Sequence, residues 1–66
     1  MNIDEFTVLL SRYMSHHPDQ RLGQAAFNML YEIFPEEVGR LRGSMVDPFY
    51  NDNKINNFLT ALGILS

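Results

Sequence analysis

Between Gln24 and Phe34 the chain leaves a helix almost no polar side to turn toward water. At helical spacing only Arg21, Gln24, Asn28 and Glu32 make a polar line. On one flank of that line lie Leu22, Ala26, Met29 and Ile33, and on the other Phe27, Tyr31 and Phe34. A helix on the outside of a small protein needs a single apolar stripe, whereas one that is apolar on most faces is buried on most faces. Two arrangements satisfy that demand. Either the helix is central and wrapped by every other element, or it is half covered by a partner.

Length makes the demand sharper. The chain has 66 residues, enough for one small domain that buries only about 60% of its unfolded surface. Domains of this size usually add disulfides, a metal or oligomerisation. Cysteine is absent, which removes disulfides and thiolate metal sites and fits a reducing cytoplasm. Binding to another protein, or to a second copy, therefore gains weight by elimination. Eight acids stand against five bases for a formal charge of −3. That charge is too mild to mimic a polyanion and has the wrong sign for a nonspecific nucleic-acid binder, which neutralises phosphates with Lys and Arg. The acidic start, Met1 to Glu5, lacks the basic and apolar regions of a signal peptide. No apolar run approaches the roughly 20 residues of a membrane span. The expectation is a cytoplasmic protein with no membrane contact.

The rest of the chain reads as helices. Asn2 with Glu5 three residues on forms a weak capping box. Ile3, Phe6, Leu9, Leu10, Tyr13 and Met14 then recur at helical spacing until Pro18 stops the first helix after His16 and His17. Asp19 is the candidate cap of the second helix. Gly23 near its start removes a side chain, so another helix, or the same helix of a second copy crossing at Gly23 and Ala26, can approach there. Pro35 ends the second helix and suits the first position of a short third one. Its acids, Glu36 and Glu37, come first and its bases, Arg40 and Arg42, last, as the helix dipole favours, with Gly43 as the stop. Ser44 to Asp52 reads as a loop. Asp52 is the candidate cap of a fourth helix with Ile55, Phe58, Leu59 and Leu62 on its apolar face, closed by Gly63 with Ile64 folding back on Leu59. No strand signal occurs. The expected fold is all-α: a compact bundle of three longer helices and one short helix, with the second at the centre.

Catalytic and ligand motifs are not found. Neighbouring residues on a helix point about 100° apart, so His16 and His17 cannot readily share a metal, and no third His or Cys exists. A helix C-terminus explains them better. Asp47, Asn51, Asp52 and Asn53 lack the alternation, central glycine and distal glutamate of a calcium loop. The serines have no glycine-rich elbow, and Glu36-Glu37 is explained by the dipole rather than as an acid/base pair. No cofactor is implied, and an enzyme is not expected. Two features remain. Phe49 and Tyr50 are large aromatics in a polar loop, which either plug the core or stay out as anchors for a partner. Arg21, Arg40 and Arg42 are the one basic group, with Arg40 and Arg42 too close in sequence to share a helix face. The candidate partner-binding residues are therefore Phe27, Tyr31, Phe34, Arg40, Arg42, Phe49 and Tyr50. A helix-turn-helix built on the second and third helices fails on charge, on the shortness of the third, and on its turn.

Taken together, Asp19 to Asn28 with its Arg-Leu-Gly-Gln start, Leu30 to Ile33, Arg42-Gly43 and Asp47-Pro48-Phe49-Tyr50-Asn51-Asp52 resemble small uncharacterised helical proteins of bacteriophage and prophage genomes. The resemblance covers most of the chain after residue 18, while the first helix departs from it. It implies a viral or mobile-element origin and a helical fold, and it carries no activity. The functional expectation is an acidic helical module that binds a host or viral protein, with inhibition of host machinery or defence as its setting. The alternative is a nucleic-acid-binding regulator that uses the short third helix.

Overall fold

A computed structural model describes residues 1–66. The chain runs α1 (Ile3–His16), α2 (Leu22–Ile33), α3 (Pro35–Leu41), a single 3-10 turn (Asp52–Lys54) and α4 (Ile55–Ala61), with no strand. The all-α expectation holds. Its radius of gyration is 10.6 Å, close to the roughly 10.8 Å expected for 66 compact residues, so no arm extends from the body. The fourth helix is shorter than the sequence suggests because its first turn tightens into the 3-10 geometry common at helix starts.

Local chemistry sets most of the helix ends. At α1 the Asn2 side chain accepts from the Glu5 amide at 2.8 Å, and Glu5 Oε1 accepts from the Asn2 amide at 3.1 Å, completing the capping box. At the other end, His16 and His17 donate Nδ1–H to the Arg12 and Tyr13 carbonyls at 2.9 and 2.8 Å. These contacts with carbonyls of the last turns account for both histidines, and His17 also stacks on Tyr13. Pro35 occupies the start of α3. Phe34 alone separates α2 from α3, serving as C-cap of one and N-cap of the other. Gly63, at φ 75°, ends the last helix: Ile64 donates to the Leu59 carbonyl at 2.9 Å and Gly63 to Thr60 at 3.1 Å, the two bonds of a Schellman motif. Ile64 and Leu59 are buried together as that motif predicts.

The core is eleven apolar side chains, and α2 alone supplies Ala25, Ala26, Phe27, Met29 and Leu30. At 100° per residue these five, with buried Gly23, sweep an arc of about 200° around the helix axis. That breadth is what a central helix requires. Phe6 and Leu10 come in from α1, Val38 from α3, and Phe58 and Leu59 from α4. Phe58 stacks on Phe27 with ring centroids 5.9 Å apart. Leu22 and Ile33, expected within a buried stripe, are exposed. Their angular position is right, but they are the first and last residues of α2, beyond the reach of the elements packed across its middle. Ile3 is exposed for the same reason at the start of α1.

Three expectations about α2 are overturned together. Asp19 does not cap it: the helix begins at Leu22, with Arg21 as N-cap making no side-chain cap bond. The Gly23 amide is instead taken by the carboxylate of Asp52 at 2.9 Å. Asp52 therefore caps α2 from 29 residues away and not the helix that follows it, whose 3-10 start is capped by Asn51 accepting from the Asn53 amide at 2.9 Å. Finally, the space made by Gly23 is filled by the loop. A Cβ there would sit 2.8 Å from Asp52 Oδ1 and closer still to the Pro48 carbonyl oxygen. With Ala26 fully buried as well, the crossing of two copies at Gly23 and Ala26 is closed in this fold.

Candidate functional site

The strongest candidate site lies where the loop of residues 43–52 meets the outward edge of α2. A shallow cleft of about 180 Å³ opens there. Phe27 and Tyr31 from α2 and Phe49 and Tyr50 from the loop make its apolar walls, and Asn28, Arg42 and Asp47 its polar lining. Five of the seven residues expected from sequence therefore converge. Phe34 and Arg40 do not. Phe34 is half-buried at the corner between α2 and α3, near Met1 and Ile64. Arg40 lies beside Leu41, Ala61 and Leu62 and pairs with Glu36 one turn earlier, at 4.0 Å with both side chains largely in water.

The loop is held at several points. Asp47 folds its own turn, accepting from the Phe49 amide at 2.9 Å and from the Gly43 amide at 2.6 Å. Gly43 itself sits at φ 76°, the left-handed geometry that stops α3 and turns the chain into the loop. Pro48 is buried, and its carbonyl accepts from the Asn51 amide at 3.0 Å. The guanidinium of Arg21 donates to the Phe49 carbonyl and lies 4.0 Å from Asp52. The start of α2 thus grips the loop by one amide and one arginine. Asp52 in return places its negative charge at the positive end of the α2 dipole.

This clamp settles the fate of the two loop aromatics. Phe49 turns inward, edge-on to Phe27 with centroids 5.7 Å apart. Tyr50 turns outward and is 86% exposed, its ring meeting Phe49 edge-on at 4.8 Å. Tyr31, 36% exposed, meets Phe27 edge-on at 5.7 Å from the other side. Phe27 is the hub, joining Phe58 in the core to Tyr31 and Phe49, and Phe49 in turn meets Tyr50. The sequence offers plug and anchor as alternatives for the Phe49-Tyr50 pair; the fold turns Phe49 in against Phe27 and leaves Tyr50 exposed.

Asn28, which the sequence shows only as part of a polar line, is the site member that residue type did not reveal. Its amide donates to Gln20 at 3.2 Å, fixing the segment before α2 against the cleft edge. Asp47 also joins the site, and its spacing to Phe49 is the one available signal, that of an Asx turn. No protein family, curated protein or solved structure matches the chain.

Proposed function

We propose that the chain is a small acidic helical interaction module that binds another protein through the face formed by α2 and the 43–52 loop. The observation that carries this reading is Tyr50, an 86% exposed aromatic on a loop fixed from both sides. A free loop would bring an entropic cost of ordering to any complex, and a fixed one does not. Tyrosine presented this way is the kind of side chain that dominates interface energetics, with Tyr31 and Arg42 beside it as further typical contributors. The resemblance to phage and prophage proteins points to a host or viral protein in the bacterial cytoplasm as the partner. No helix is long and apolar enough to cross a membrane, in keeping with that setting.

The test is recovery from host lysate by tagged wild-type protein and by Tyr31→Ala and Tyr50→Ala variants, with and without nuclease. One protein retained through nuclease and lost with either substitution, while circular dichroism stays native, is the expected result. Recovery indifferent to both tyrosines removes the proposed face. Recovery abolished by nuclease and by Arg40→Ala with Arg42→Ala transfers the activity to nucleic acid.

A further inference from the structure

The two shortest α-helices, α3 and α4, have seven residues each, and they are anchored unequally. α4 buries Phe58 and Leu59, and the turn at Gly63 closes its end while seating Ile64 in the core. α3 buries Val38 alone, with Leu41 half-buried. It starts at Phe34 with no side-chain cap bond. At its other end Gly43 takes the same left-handed geometry as Gly63. The Gly43 amide, however, goes to the Asp47 carboxylate, so no Schellman pair closes α3. The exposed pair of Arg40 with Glu36 adds little. Gly39 sits at the middle of α3, and a Cβ there would meet nothing within 4 Å. No close approach or positive φ requires a glycine at that position, and inside a helix glycine favours the open chain over the wound one.

We infer that α3 is a strap that unwinds on its own, ahead of the rest of the fold, and uncovers the part of the core beneath Val38 while the loop stays on α2. Segments that open locally are those with few buried apolar side chains and exposed backbone, and among the four helices α3 has the fewest buried side chains. The loop keeps its place without α3. Asp47 accepts from Gly43 and Phe49 within the loop itself, and Arg21 and Asp52 hold that loop to the start of α2. The face that carries Tyr50 therefore keeps its geometry through the opening.

Native-state hydrogen exchange of the full chain tests it, followed by two-dimensional NMR at urea concentrations well below the unfolding midpoint. The amides of residues 38–41 are expected to exchange at least about tenfold faster, relative to their unfolded-chain rates, than those of residues 29–30 and 58–59. Urea acts in proportion to the surface that an opening exposes. It should therefore speed exchange at 29–30 and 58–59 and barely change it at 38–41. Gly39→Ala should slow exchange at 38–41 about fivefold, which is the difference in helix propensity expressed as an equilibrium constant. Exchange at 38–41 that follows 29–30 and 58–59 through the urea series means that α3 opens only with the whole molecule, and overturns the inference. An unchanged rate at 38–41 in Gly39→Ala also overturns it. The Gly23 amide, held by Asp52, should outlast those of the strap. If it exchanges together with 38–41, the loop leaves with α3 and the inference falls.

Discussion

The starts of α1 and α2 solve the same problem by different means. Each helix begins with amides that have no partner inside the helix. At α1 the answer lies within the first turn, where Asn2 and Glu5 cap each other across three residues. At α2 it comes from the other half of the chain, where Asp52 reaches the Gly23 amide across 29 residues. A local cap stabilises its own helix. A distant cap stabilises its helix and also fixes the segment that delivers it. Here that segment carries Phe49 inward and Tyr50 outward, so the cap of α2 doubles as the support of the proposed binding face.

The comparison can be broken at Gly23. Alanine is ordinarily the better helix former by about 1 kcal/mol, yet at this position its Cβ lands on the Pro48 carbonyl and the Asp52 carboxylate. Gly23→Ala is expected to destabilise the protein by about 2–3 kcal/mol, in the range of core overpacking, measured by urea unfolding. A neutral or stabilised variant would mean that the loop does not sit on α2. Asp52→Ala comes next, with an expected loss of about 1–2 kcal/mol, the upper range for a removed cap. It should also shift the amide resonances of both Gly23 and Tyr50, and movement of only one of them would separate capping from loop support. Asn2→Ala should cost about 1 kcal/mol by the same chemistry, with shifts confined to the first turns of α1. A change at Tyr50 there would defeat the contrast between local and distant caps. The smallest effect belongs to Arg40→Ala, which breaks a water-exposed pair one turn apart. A few tenths of a kcal/mol are expected, and a larger value in the same unfolding series would give α3 a role that its contacts do not.

These differences follow what can be read from residue order. Capping boxes, proline at a helix start, glycine at a helix end and the Schellman pairing of Gly63, Ile64 and Leu59 depend on residues within one turn, and all were legible. The wrong readings were of another kind. Asp19 has the right side chain two residues before the N-cap of α2, and only the fold shows that Asp52 holds the amide. Gly23 advertises a close approach without saying what approaches. Leu22 and Ile33 lie on the correct face of α2, but burial also depends on where along the helix its neighbours stop. For the site, five of seven candidates line one cleft because Phe27 and Tyr31 of α2 and Phe49 and Tyr50 of the loop pack as one aromatic group with Arg42 beside it. Phe34 and Arg40 lie outside the cleft. Asn28 and Asp47 were overlooked because an amide in a polar line and an aspartate in a turn have ordinary structural explanations, which here are also true.

Sequence by itself determined the helices, most of their ends and the central place of α2, because hydrophobic periodicity and capping act over three to five residues. The tertiary structure alone decided that Asp52 caps α2, that Gly23 receives a loop, and that Phe49 turns in while Tyr50 turns out. Those outcomes depend on which distant groups the packed core brings within hydrogen-bonding distance, and no spacing along the chain encodes that proximity.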